Sequence, residues 1–592
     1  MKNLDEDKRK FTMKDGEIVK RLLAYAKPFI LPFVVTFMLM IFTVVLGLLG
    51  PYLIGRSMDI INKDNISLND LFTTLSIFGV SIVLGSVFNY AQTIILQKTG
   101  QSIIYNIREE IFTHLEYHDV NYLHSTPIGA LVTRVTNDTN TLNEMYTSVI
   151  VSVFKNVLMV IGIIVAMFLI NSTLTWYVLL VVPFIIFFSF IFRMFSRKAY
   201  RRVRANLSKV NAFLAEHLSG MKIIQIFNQE QAKFEEFDVR NTRLKKSYYK
   251  QILIFGIYRP TMYFLFMATT VLVYFTGGLS VIEGIITIGT LIAFQQYIGR
   301  FFEPIQQLAE QFNILQSAFA SSERIFGILD TKPTINDDPD AIELEDMKGQ
   351  IEFKNVWFAY IDEQWILKDV SFKVNAKESV AFVGATGAGK TTILALITRN
   401  FDIQKGQILI DGIDITKIKK QHLRKYIGQM LQDVFMFSGT IRSNIKLRND
   451  EISDEKMIQA CKYVNANHFI EKLDNTYDER VKERGNNFST GQRQLLSFAR
   501  TIVHDPKVMI LDEATSNIDT ETEQLIQESL KKMMSIGTML IVAHRLSTIQ
   551  HVDKIIVLSK GEIIEQGSHQ ELLKNKKHYY SLYRLQYQTK AL

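Results

Sequence analysis

Six long stretches in the first 312 residues are almost free of charge, near 29–55, 70–97, 147–170, 174–195, 253–281 and 285–312. A helix spans a bilayer with about 20 apolar residues, and each stretch is long enough. The pattern predicts six transmembrane helices. Pro32 and the Gly50–Pro51 pair lie in the first and predict a bend, not a break. Residues 98–146 and 196–252 are polar yet still periodic; Ile103, Ile107, Ile111 and Leu115 recur about one helical turn apart. Helices two to five are therefore expected to run well past the bilayer. Breaks at Tyr122–Gly129 and Glu216–Gly220 predict turns, each with a short helix able to press on a cytoplasmic domain. Ahead of the first span, Ile18–Lys27 is amphipathic and reads equally as a helix on the inner leaflet or as the start of the next helix.

After residue 330 the pattern changes. Residues 331–349 are acidic, with two prolines and no period, and read as a linker. A new composition begins at Ile351, and the remaining length suits one α/β domain. The expected organisation is a membrane domain over 1–330, a linker over 331–350 and an α/β domain over 351–592.

Charge gives the orientation. Fourteen Lys and Arg residues fall between Arg193 and Lys250, whereas the opposite loops carry only Arg56 and Lys63. Cationic loops stay in the cytoplasm, so both termini and the α/β domain are expected there. The net charge of +8 then marks topology, not a nucleic-acid footprint. A single cysteine, Cys461, excludes a disulfide framework and a Cys-rich metal site. The first apolar stretch is too long for a cleavable signal. Polar residues in or near the spans are Asn89, Gln92, Lys155, Arg259, Gln295, Gln296, Arg300 and Glu303, and the four ionisable ones are expected towards the cytoplasmic ends. The last two spans are rich in aromatics, among them Tyr258, Tyr263, Phe294 and Tyr297, which suit either helix packing or a cavity for bulky apolar or cationic molecules.

The chemistry centres on Gly384–Thr392, GATGAGKTT, which fits G-x-x-x-x-G-K-[ST] between the apolar run Ser379–Val383 and a helix-forming run. Gly384, Ala385, Thr386, Gly387, Ala388, Gly389 and Thr392 form a loop whose N–H groups can close around phosphate oxygens. Lys390 supplies a charge to the β and γ phosphates and Thr391 a hydroxyl to Mg²⁺. Val508–Leu511 reads as a buried strand ending in Asp512–Glu513. There Asp512 would hold Mg²⁺ through water, and Glu513 would polarise an attacking water. Ser489 and Gln492 form a capping box around Gly491, a second helix N-terminus able to meet an anion. Gln432 lies in a loop, His544 follows the strand Met539–Val542 within reach of a γ-phosphate, and Tyr360 follows a strand and is placed to stack on a purine.

Taken together, the chain resembles the ABC exporter half-transporters, in which six membrane helices precede a nucleotide-binding domain. The motifs that carry the resemblance are GATGAGKT, VMILDE, FSTGQ and SNID at Ser516–Asp519. The resemblance implies ATP and Mg²⁺ as ligands. It makes Gln432 a metal and nucleotide contact, His544 a switch residue beside the general base Glu513, and Asp519 part of the nucleotide interface. It also implies a dimer that sandwiches two ATP molecules, a multi-pass chain in the cytoplasmic membrane, and alternating access. Where the family usually has LSGGQ, this chain has Phe488 and Thr490. A bacterial branch pairs a subunit that keeps its catalytic Glu but carries an altered signature with a second half-transporter. The expectation is therefore a heterodimer with one competent and one impaired site, exporting amphipathic or cationic drugs. A lipid flippase or a membrane ATPase acting as sensor or gate shares every motif. The lone Cys461 speaks against a peptide exporter with a cysteine peptidase.

Overall fold

A computed structural model describes residues 13–63, 66–361, 363–512, 520–542 and 549–588. Two compact units emerge. One holds the chain up to Tyr117 and Thr126–Lys332; the other holds His118–Ser125 and Pro333 onward.

The first unit is helical. Its elements are α1 (Asp15–Ala26), α2 (Ile30–Ile61), α3 (Leu68–Glu116), α5 (Ile128–Thr133), α6 (Thr139–Glu144), α7 (Ile150–Ile170), α8 (Ser172–Leu179), α9 (Val182–Ser219), α10 (Met221–Ile226), α11 (Glu230–Ile282) and α12 (Ile288–Leu329); α4 (Val120–Ser125) belongs to the second unit. Among the described residues five helical stretches are long and apolar enough to cross a membrane, and α12 is a sixth long helix in which Gln295, Gln296, Arg300 and Glu303 dilute the apolar character. At about 1.5 Å per residue, the 49-residue α3 and 53-residue α11 far exceed a bilayer's thickness, as the periodicity beyond the spans predicts. The fourth apolar stretch is split, because the chain breaks between α8 and α9 ahead of Pro183. Ile18 and Leu22 of α1 are buried against Ile104, Ile107 and Tyr146, so this helix is seated on protein. Arg21 adds a two-pronged ion pair to Asp330, at 2.6 and 2.9 Å.

The position of Arg300 differs from the sequence expectation. Its guanidinium donates to the carbonyl oxygen of Gly47, midway along α2, and not at a cytoplasmic end. The reason lies in Pro51. Proline has no N–H for the carbonyl four residues back, so Gly47 O has no intrahelical partner. Arg300 occupies that acceptor, and Tyr297 donates to the next carbonyl, Leu48 O, at 2.6 Å. Towards the C-terminal end of α2 the two helices touch through Gly55 and Gly289. A Cβ on Gly289 would lie 2.0 Å from Gly55 O, and Asp59 caps the start of α12 through Gly289 N and Thr287 Oγ1.

The second unit is built on two sheets. The strands are β1 (Ile351–Ala359), β2 (Trp365–Val374), β3 (Ser379–Gly384), β4 (Lys405–Ile410), β5 (Ile413–Asp414), β6 (Ile427–Met430), β7 (Gly439–Thr440), β8 (Arg480–Val481), β9 (Val508–Asp512), β10 (Thr538–Val542), β11 (Lys554–Ser559) and β12 (Glu562–Gly567). An antiparallel sheet runs β2-β1-β4-β5; the central sheet runs β12-β11-β3-β10-β9-β6, parallel except for β12. Successive side chains of a strand point to opposite faces. Val380 and Phe382 thus pack with the first sheet and the helix Lys390–Ile397, while Ala381 and Val383 pack with the helix Thr490–Val503. Both faces are covered, which is why these strands read as unbroken apolar runs. Residues 333–349, linker-like in sequence, are packed here: Ile335, Leu344 and Met347 are buried, and Ile342 pairs with Ile418.

Candidate functional site

The parallel strands β6, β9, β10 and β3 lie side by side and end at the same edge, since Val542 pairs with both Asp512 and Phe382, and Met430 with Leu511. Ligands of open parallel sheets bind outside the strands' carboxyl ends. Three of the sequence-chosen segments leave from this edge. The glycine loop follows β3, Gln432 follows β6 and is exposed, and Asp512 closes β9. Glu513 and Asp519 after β9, and His544 after β10, lie outside the described residues.

Local chemistry shapes the loop. A Cβ on Gly384 would sit 2.2 Å from Leu558 O of the neighbouring strand, so only glycine fits there. Gly387 (φ +82°) and Gly389 (φ +101°) take left-handed conformations that other residues avoid. Ala385, Thr386 and Gly387 are exposed, whereas Ala388, Gly389, Lys390 and Thr392 are buried. The Lys390 Nζ donates to Gly384 O at 2.8 Å and Ala385 O at 3.1 Å, which arches the side chain back over the loop. With a cation held above an exposed turn at a helix N-terminus, the segment fits a chain of phosphates. Tyr360 is half exposed; its hydroxyl lies 3.2 Å from Thr392 Oγ1 and its ring stands edge-on to Phe401. One ring face beside the glycine loop is the placement a purine needs.

Among the described residues no group of three His, Cys, Asp or Glu side chains stands ready to hold a metal. Thr391, Gln432 and Asp512 offer hard oxygen donors at the sheet edge, the kind Mg²⁺ takes when substrate phosphates complete its shell.

The signature residues are elsewhere. Ser489 caps the helix Thr490–Val503, its Oγ accepting from Gln492 N at 3.2 Å while Gln492 Oε1 accepts from Ser489 N at 2.9 Å. Gly491 is buried. Thr490 Oγ1 accepts from Arg493 at 3.3 Å. This helix packs on one face of the central sheet and the glycine-loop helix on the other. Sequence reasoning passed over two further residues, Asp119 and Arg399. Both are buried charges; Asp119 is held by Thr334 and Ile335, and Arg399, beside its neighbour Asp402, by Asn336 and Asp337, contacts that join residues too distant in sequence for a local pattern to mark.

A helical membrane unit followed by a glycine-loop nucleotide-binding unit defines half of an ATP-driven membrane transporter. Residues 33–305 match the family described as ABC transporter transmembrane region, and residues 367–516 that described as ABC transporter. A Bacillus subtilis protein named "Probable multidrug resistance ABC transporter ATP-binding/permease protein YheH" is 37% identical over 86% of this chain and 76% of its own. The ATP-dependent lipid A-core flippase of Syntrophus aciditrophicus is 34% identical over 96% of this chain and 95% of its own. The solved structure of a bacterial Atm1-family ABC exporter with ATP bound superposes with a TM-score of 0.78 at 25% identity, over 94% of this chain and 99% of that one. The chain belongs to the ABC transporter family and is an exporter half-transporter, an ATPase-coupled membrane protein.

Proposed function

We propose that this chain exports amphipathic molecules across the cytoplasmic membrane by alternating access, with its ATPase domain in the cytoplasm. The observation that carries the reading is the gathering of the glycine loop, Tyr360, Gln432 and Asp512 at one sheet edge. In this reading Lys390 and the loop amides bind ATP. Thr391, Gln432 and Asp512 hold Mg²⁺, which supplies charge neutralisation on the phosphates. Glu513 would activate water, and His544 would serve as the switch residue toward the γ-phosphate.

Because the signature helix and the glycine loop lie on opposite faces of the sheet, a second half-transporter is the source of the residues that close over ATP. Ser489, Gly491, Gln492 and Asp519 then serve the partner's nucleotide. Thr490 adds a side chain where backbone would approach phosphate. This supports a heterodimer in which FSTGQ serves the impaired site, while Lys390, Asp512, Glu513 and His544 work with the partner's signature.

The test is ATPase activity of the purified chain in lipid beside Glu513→Gln. A loss of about 10²–10⁴-fold is expected wherever the chain is active. Full activity of the chain alone refutes the heterodimer; activity untouched by Glu513→Gln refutes the assigned base. Transport of a cationic dye against that of a labelled acidic lipid separates substrates. A second reading, lipid translocation, has its own support. Arg300 places a guanidinium midway along the first span's length, a feature that favours an amphipath with an anionic head.

A further inference from the structure

Asp119 sits between the end of α3 and α4, only 7% exposed. Its carboxylate accepts from Thr334 N, from Thr334 Oγ1 at 2.7 Å and from Ile335 N at 3.4 Å. Those two residues open the stretch that leaves α12 for the nucleotide-binding unit. The next two are held by other partners. Asn336 O accepts from the Arg399 guanidinium at 3.0 Å, and the Asp337 carboxylate from Arg399 at 3.3 Å and from Lys420 N at 3.1 Å. Arg399 is 2% exposed, donates also to Ile418 O at 3.0 Å, and pairs with Asp402 at 3.2 Å. It stands two residues past the glycine-loop helix and ends that helix's hydrogen-bond ladder through its own N–H on Leu396 O.

Residues 334–337 are therefore pinched between two buried charges, one rooted in α4 and the other at the far end of the helix that begins at Lys390. A buried carboxylate with three donors resists displacement far more than a surface ion pair, which contributes about 0–1 kcal/mol. We propose that Asp119 and Arg399 are positioning residues for transport. They join the nucleotide-loop helix to α4 through residues 334–337, so that movement of that helix on ATP binding is delivered to α4 and on to the membrane helices flanking it in sequence, α3 and the Ile128–Ile170 stretch that begins with α5 and ends with α7. The proposal rests on the ATP-driven transport reading and adds the residues that carry the stroke.

The experiment uses the full chain in lipid vesicles, as the ATP-hydrolysing dimer. Glu283, exposed in the outer loop between α11 and α12, is replaced by cysteine and labelled with a membrane-impermeant maleimide, with and without ATP plus vanadate. The native Cys461 is fully buried and gives little background. The expected result is a labelling rate that changes about threefold or more with ATP plus vanadate in the Glu283→Cys parent and hardly at all after Asp119→Asn, while basal ATP turnover, its KM and the melting temperature stay within about twofold or a few degrees. Thr334→Val is the gentler second variant, expected to give the same loss and to add little to Asp119→Asn if both act through one contact. Asp119→Glu is expected to restore part of the response. An Asp119→Asn protein that responds like its parent overturns the proposal, as does a parallel fall of turnover, response and melting temperature. A parent whose labelling ignores ATP overturns the alternating-access reading, and the proposal with it.

Discussion

At the residue scale the glycine loop shows how few atoms decide a site. Gly384 has no space for a methyl group because Leu558 O already fills it, so Gly384→Ala must push β3 from β11 at the edge proposed for phosphate. Overpacking of this kind costs about 1–3 kcal/mol. The expected outcome is a lower melting temperature together with weaker ATP binding, measured by nucleotide-dependent thermal shift. Gly387→Ala meets no atom within 4 Å and strains only the backbone at φ +82°; it should lose ATP affinity with little loss of fold. Cys461 makes a different prediction. Burial pushes its thiol up to about 12, so at neutral pH almost none is thiolate, and the thiolate is the reactive form. Native protein should resist alkylation at pH 7.5 and react at the ordinary rate in urea, as mass spectrometry would read. Prompt native labelling would contradict the burial.

At the element scale the break in α2's hydrogen-bond ladder was legible, but its consequence was not. Pro51 in an apolar run announces a missing hydrogen bond; nothing local says that Arg300, distant in sequence, supplies the donor. The pairing is testable by a double-mutant cycle. Arg300→Met leaves Gly47 O unserved in the native background, at a cost of about 1–3 kcal/mol. In Pro51→Ala the new N–H restores the intrahelical bond, so the same change should cost about 1 kcal/mol less. Thermal unfolding in one detergent measures both; equal costs would refute the link. The capping box at Ser489–Gln492 is the opposite case. Its spacing is local and was readable in full, and the structure contains both of its hydrogen bonds.

At the scale of the whole molecule, a six-helix membrane domain with long extensions and an α/β nucleotide-binding domain followed from two periodicities and one motif. Apolar length is an absolute requirement in lipid, and a glycine loop between strand and helix has few other uses. The dependence on a partner has a physical basis that the sequence could only borrow from a resemblance. Alternate residues of β3 face two different layers, and those layers carry the glycine-loop helix and the helix capped by Ser489, the two segments proposed to close over ATP, away from each other.

The sequence by itself determined the long apolar helices, the glycine loop between strand and helix, and the caps, because each depends on residues close to one another in the chain. Tertiary structure alone decided that β3, β6, β9 and β10 end side by side, that Arg300 serves a carbonyl in α2, and that Asp119 holds Thr334 and Ile335 while Arg399 holds the next two residues. Those contacts join residues tens to hundreds of positions apart. Their free energy comes from desolvated charge and shared burial, and neither exists until the chain has folded.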